Sequence, residues 1–226
     1  NSLGQALDAG DVAAVQLRLK NAPDDLGKRA IDVLRPVCQS RRVEFLLNDR
    51  ADLVAASGCD GAHVGQEDMP GREARSLVCP SRTLGVTCKS SLDLADRAVR
   101  DGASYVAFGA FFPSTSKQVT NLADPEVLRR WAQRSKVPSC AIGGITAANL
   151  APLVRAGASL LPIIGGVWGD PQGPPPGRSD GRPRHPWPSG SRKGSPSPRS
   201  GSAPASAVTA RCWCWPTWSG STRASR

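Results

Sequence analysis

Over residues 1–170 the chain reads as an α/β protein of the (β/α)8 TIM-barrel class. Short apolar or β-branched runs recur about every 20 residues, each followed by a helix-sized amphipathic segment, the mark of a parallel sheet covered by helices. Several of these runs end in polar or glycine-rich loops, where such barrels carry their functional groups. Near Pro171 the composition changes so sharply that the rest of the chain, residues 171–226, is set apart as a low-complexity tail expected to be disordered.

The chain opens with "NSLGQALDAGDVAAV", a helical pattern flowing into the first strand-like run, "VQLRL" at 15–19. The following runs are "VEFLLN" (43–48), "GAHVG" (61–65), "TLGVT" (83–87), "YVAFGAFF" (105–112), "SCAIGG" (139–144) and "LLPIIGG" (160–166). Between the fourth and fifth lies "SSLDLADRAVRDG" (90–102), where Ser91 and Asp93 suit helix capping and Leu92, Leu94, Ala95, Ala98 and Val99 can share a face. In "DPEVLRRWAQRS" (124–135), Asp124 is the expected N-cap, Pro125 takes the first helical position, and Val127, Leu128 and Trp131 form one stripe. Seven β-α units favour a closed barrel over an open doubly wound sheet but are one short of eight. The expected arrangement lacks the first strand, ahead of Asn1, and the final helix. That leaves an open seam whose unpaired edges invite association into a homo-oligomer.

Residues 171–226 hold 11 of the 20 prolines and 11 serines, with one valine and no leucine, isoleucine, methionine or phenylalanine. Such a stretch buries too little apolar surface to offset its ordering entropy. It carries nine Lys+Arg against one acid, so residues 1–170 sit near neutrality although the whole chain is at +10. No alternation of basic and aromatic residues accompanies that charge, which argues against a specific nucleic-acid partner. The seven cysteines show no paired C-x-x-C spacing, and Cys212 and Cys214 are too few for a zinc site. No leader pattern and no apolar run of about 20 residues is found, so the default expectation is a cytoplasmic chain without membrane contact.

Two runs end in acids, Asp49 and Asp68, expected to face one another across the barrel mouth. Mg2+ takes oxygen ligands, commonly one or two carboxylates with substrate phosphates and water. Each acid could equally cap the helix that follows it. The other strand ends add cations and small donors. In "VQLRLK" the residues Gln16, Arg18 and Lys20 alternate onto one face, and inward polar residues of a barrel need a ligand or an ionic partner. "FFPSTSK" places Ser114, Thr115 and Ser116 beside Lys117. "AIGGI" offers backbone amides at Gly143 and Gly144, and "PIIGG" offers them at Gly165 and Gly166, after the last two strands, where barrels often hold phosphate. Together these suggest small phosphorylated substrates and one metal. His63, the only histidine of residues 1–170, reads as a hydrogen-bonded structural residue behind its strand end.

The stretches "VQLRLK", "LLNDR", "DGAHVGQEDMP", "LGVT", "YVAFGAFFPSTSK", "AIGGI" and "GASLLPIIGGVW" follow the order and approximate spacing of thiamine-phosphate synthases, which residues 3–170 resemble. The resemblance implies a transferase that joins hydroxymethylpyrimidine diphosphate to hydroxyethylthiazole phosphate, giving thiamine phosphate and pyrophosphate. It implies Gln16, Arg18 and Lys20 on the pyrimidine diphosphate, Asn48 on the pyrimidine, and Asp49 and Asp68 on Mg2+. Thr87 and Lys117 would bind the leaving pyrophosphate, with Arg18, Lys20 and Lys117 as the catalytic cations. Ser114, Thr115, Ser116, Gly144, Ile164 and Gly165 would surround the thiazole phosphate. The implied reaction is dissociative and relies on electrostatic stabilisation rather than a strong base.

This chain departs from the pattern at Thr87, where serine is usual, and at Gly165, where a serine hydroxyl is missing; that loss is worth roughly 1.5–3 kcal/mol of binding. Two alternatives stand beside the synthase: a related thiazole tautomerase lacking the diphosphate and metal site, and an inactive truncated barrel whose basic tail holds polyanions nonspecifically.

Overall fold

The computed structural model describes residues 2–19, 22–113, 121–163 and 209–214. Seven strands alternate with helices in chain order: α1 (Ser2–Ala9), β1 (Val12–Arg18), α2 (Asp24–Gln39), β2 (Glu44–Asn48), α3 (Ala51–Ser57), β3 (Gly61–Val64), α4 (Gly71–Leu77), β4 (Thr83–Thr87), α5 (Leu92–Arg100), β5 (Tyr105–Gly109), α6 (Glu126–Arg134), β6 (Ser139–Ile142), α7 (Ala151–Arg155) and β7 (Leu161–Ile163). Strands β1 to β6 pair in sequence and in parallel, giving the curled α/β sheet of the TIM-barrel class. β7 approaches β6 through a parallel bridge between Cys140 and Leu160, with the Ala141 N–H donating to the Leu160 carbonyl at 3.0 Å.

An eighth strand, β8 (Thr209–Cys214), lies between β1 and β7 and runs antiparallel to both. Val15 pairs with Cys212 on one side, and Cys212 pairs with Ile163 on the other. The open seam expected from seven units is thus occupied, by residues of the segment set aside on composition. The physical reason lies in the strand edges, whose N–H and C=O groups are strong hydrogen-bonding groups that any extended segment can satisfy regardless of its side chains.

Strand alternation divides the apolar residues between two faces. The outer face carries Val15, Leu17, Phe45, Leu47, Ala62, Val64, Leu84, Val86, Val106 and Phe108, which pack under the helices in one large cluster. Trp131 of α6 is 2 % exposed, meets Phe108 edge-on at 5.8 Å, and donates its indole N–H to the Val137 carbonyl at 2.8 Å. The barrel interior holds a second, smaller cluster of Ala14, Leu46, Tyr105, Ala107, Cys140 and Leu160. The buried polar residues Gln16, Glu44, His63 and Thr83 alternate onto this same inner face. At the N-terminal ends of β4 and β2, Thr83 donates to Glu44 at 2.8 Å.

The helix ends lie close to their sequence signals. Ser91 caps α5, its Oγ accepting from the Leu94 N–H at 3.2 Å. Pro125, expected at the first helical position, instead holds the N-cap of α6, and Asp124, expected there, lies one residue further out, its Oδ1 accepting from the Glu126 N–H at 2.8 Å. Among the described residues no helix is long and apolar enough to cross a membrane.

Candidate active site

The C-terminal ends of β1, β2, β3 and β4 build a connected polar layer at one mouth of the barrel. Gln16 is fully buried, and its register partner Leu46 belongs to the inner cluster, which places Gln16 inside the barrel. Its amide N–H donates to Asn48 Oδ1 at 2.8 Å, and Asn48 Nδ2 in turn donates to Asp49 Oδ2. Gln16 Oε1 is buried without a hydrogen-bond partner among the described residues. An orphaned buried acceptor costs the fold about 1–3 kcal/mol, so a ligand donor at this position would recover free energy. Arg18, two residues on, is half-buried on the same face.

Asp49 leaves β2 with a φ of 61°, in the left-handed region that Asp tolerates better than most residues. Its N–H donates to the His63 carbonyl at 2.8 Å, tying the turn to β3. Arg50 is engaged elsewhere, paired with Asp24 at 2.6 Å and Asp52 at 2.8 Å. These two carboxylates push the Arg50 guanidinium further up, and Arg50 in turn holds both acids below the ordinary aspartate range. Asp68 lies beyond β3, exposed, with its Oδ2 accepting from the Gly65 N–H at 2.9 Å.

The two acids do not face one another across the mouth as expected. They follow neighbouring strands, β2 and β3, because consecutive β-α units place consecutive strands side by side. This arrangement suits Mg2+ by its donor chemistry. Both acids offer carboxylate oxygen, the donor type that ion takes, although no cluster of three His, Cys, Asp or Glu side chains capable of holding a metal occurs among the described residues.

Thr87 ends β4 half-buried, and Gln66 donates to its carbonyl at 2.6 Å. Lys89, after it, reaches Glu67 at 3.3 Å. Gly144 has a φ of 63°, and a Cβ there would stand 2.3 Å from the Pro113 carbonyl oxygen, so only glycine fits this turn. The Gly144 carbonyl accepts from Asn149 Nδ2 at 3.0 Å, and Asn149 Oδ1 accepts from the Thr146 N–H at 2.8 Å, which fixes the loop after β6. Of the residues singled out in the sequence, Lys20, Ser114, Thr115, Ser116, Lys117, Ile164, Gly165 and Gly166 lie outside the described residues.

His63 is a hydrogen-bonded buried histidine, as expected. Its Nδ1 lies 2.7 Å from the Tyr105 hydroxyl and its Nε2 lies 2.7 Å from Thr87 Oγ1. The two rings stack at 5.5 Å and 24°. Neither Tyr105 nor Gly85 stood out in the sequence as part of a site. Register alone reveals them: His63 pairs with Gly85 and Gly85 with Tyr105, so the glycine is a gap through which the outer two side chains meet.

The sequence pattern of the family described as "Thiamine monophosphate synthase" matches residues 1–167. Thiamine-phosphate synthase of Rhodospirillum centenum is 58 % identical over 173 residues, covering 76 % of this chain and 84 % of that protein. The Hyphomonas neptunium thiamine-phosphate synthase is 44 % identical, with 76 % of this chain and 80 % of that protein covered. Among solved structures, thiamine phosphate pyrophosphorylase from Pyrococcus furiosus superposes with a TM-score of 0.61 at 32 % identity, covering 70 % of this chain and 74 % of that one. With a family match that spans most of the barrel and a matching fold, this chain belongs to the thiamine monophosphate synthase family.

Proposed function

We propose that the protein is a Mg2+-dependent transferase that joins hydroxymethylpyrimidine diphosphate to hydroxyethylthiazole phosphate, forming thiamine phosphate and releasing pyrophosphate. Within a family whose relatives carry that enzyme's name, one local observation carries the reading. Gln16 Oε1, buried and without a partner among the described residues, heads a chain through Asn48 to Asp49 at the barrel mouth. An aminopyrimidine offers the N–H that this acceptor lacks, and Asn48, already oriented by Gln16, completes contact with the ring.

In this reading the C–O bond between the pyrimidine methylene and the diphosphate breaks, both electrons leaving on the diphosphate oxygen. The thiazole nitrogen then donates its lone pair to the methylene carbon. Arg18, Lys20, Lys117 and the Thr87 hydroxyl stabilise the departing diphosphate, whose charge grows as the bond breaks. Asp49 and Asp68 hold Mg2+, which when bound neutralises part of that charge. Ser114, Thr115, Ser116, Gly144, Ile164 and Gly165 hold the thiazole phosphate. The interior cluster of Ala14, Leu46, Tyr105, Ala107, Cys140 and Leu160 forms a dry floor that strengthens each of these electrostatic contacts.

The test is formation of thiamine phosphate from the two substrates by the full chain, read by oxidation to a fluorescent thiochrome, with and without Mg2+. Product that requires Mg2+ and disappears in Asp49→Ala/Asp68→Ala is expected. A folded chain that binds thiazole phosphate but neither binds pyrophosphate nor forms product would remove the transferase reading.

A further inference from the structure

We infer that His63 is a positioning residue, held by Tyr105 as the Nε2–H tautomer, which turns the Thr87 hydroxyl proton outward to donate to a diphosphate oxygen. This rests on the transferase reading, in which Thr87 meets the leaving diphosphate.

A neutral imidazole has one N–H and one lone pair, so the two contacts of 2.7 Å on His63 can be filled in two directions. In one, the Tyr105 hydroxyl donates to Nδ1, Nε2–H donates to Thr87 Oγ1, and the threonine keeps its own proton for a third partner. In the other, Thr87 donates to Nε2, Nδ1–H donates to Tyr105, and Thr87 has only acceptor capacity left. The first direction is favoured on two independent grounds. A phenol, with a pKa of about 10, is a far stronger acid than an aliphatic alcohol and so the better donor to an imidazole nitrogen. A phosphoryl oxygen, moreover, accepts and cannot donate, so a threonine without a spare proton would repel the ligand.

The surroundings hold this relay rigidly. Tyr105 is 0 % and His63 5 % exposed, and the tyrosine ring lies so close over Gly85 that a Cβ there would stand 1.9 Å from its Cζ. The phenol therefore cannot leave His63 without disturbing the inner layer. Thr87, only half-buried, is the end of the relay that meets the mouth.

The imidazole nitrogens of the 15N-labelled full chain read the tautomer directly. His185 supplies the other histidine signal, and His185→Gln assigns it. A pyrrole-type Nε2 and pyridine-type Nδ1, retained when pyrophosphate and Mg2+ are added, is expected. Calorimetric titration with pyrophosphate then tests the coupling. Tyr105→Phe should weaken binding about tenfold, Thr87→Val by a similar factor, and the double variant no further, while Thr87→Ser retains affinity. A pyrrole-type Nδ1 in the presence of bound pyrophosphate, or independent losses in the two variants, would overturn the role of His63 and leave the transferase reading standing. Failure of the folded chain to bind pyrophosphate at all would overturn both.

Discussion

Adding one methyl group at Gly85 should cost the barrel several kcal/mol. A Cβ at this position would lie 1.9 Å from Tyr105 Cζ and 2.1 Å from its hydroxyl oxygen. Ordinary carbon contacts begin near 3.5 Å, so the ring must retreat by roughly 1.6 Å. Tyr105 is fully buried and 2.7 Å from His63 Nδ1, so that retreat sacrifices the hydrogen bond as well. Overpacking of a core costs about 1–3 kcal/mol. Stranding the buried phenol and imidazole adds about 1–3 kcal/mol. The stabilisation expected from restricting the unfolded chain, about 0.4–1 kcal/mol, is too small to compensate. The net loss is then about 1–6 kcal/mol, visible as a lower midpoint in urea and a fall in Tm of roughly 2–4 °C per kcal/mol. The control is Gly85→Ala in a Tyr105→Leu background, where the ring that clashes is gone and the alanine should cost under about 1 kcal/mol. A wild-type-background cost below about 1 kcal/mol, or equal costs in the two backgrounds, would refute the idea that Gly85 exists to seat the tyrosine.

Gln16→Met removes a buried carbonyl without a partner among the described residues but also the donor to Asn48, so stability should change by no more than about 1 kcal/mol while kcat/KM falls about tenfold or more; a large loss of stability with activity intact would place Gln16 in the scaffold instead. Alkylation near pH 8 should modify Cys79 well before Cys59 and Cys88. Cys79 is exposed with its thiol pulled down by the Ser81 contacts, whereas burial pushes Cys59 up to about 11 and Cys88 up to about 12. Peptide mapping that finds Cys88 labelled first in the folded chain would contradict this. Cys212→Pro removes an N–H from a strand flanked on both sides, so amide exchange should speed up in Val12–Arg18 while β3, β4 and β5 stay protected; unchanged protection of β1 would mean that β8 does not close the sheet in solution.

Much of the barrel could be read from the sequence because its signals are local. The parallel strands from β1 to β6 were visible as short apolar runs because their outer faces, covered by helices, are apolar throughout, while the inner face mixes apolar residues with Gln16, Glu44, His63 and Thr83. Ser91 and Asp124 announced their helices because each accepts from an N–H within three residues of itself. Strand ends are likewise local, so Gln16, Asp49, Asp68 and Gly144 could be singled out by position, while Asn48 and Thr87 were named only through the resemblance to thiamine-phosphate synthases.

What the sequence could not contain is register and neighbourhood. That Asp49 and Asp68 lie on adjacent strands rather than opposite ones follows from strand order. That the Gln16 carbonyl finds no partner among the described residues, and that His63 reaches Tyr105 through the space left by Gly85, depends on which residues share a layer of the barrel. Residues 209–214 join the sheet through backbone groups that every residue type except proline carries in full, so composition cannot reveal the pairing. Side-chain pattern thus determines which segments become strands and helices; long-range hydrogen bonding and packing decide which of their residues meet, and the chemistry of this barrel mouth depends on those meetings.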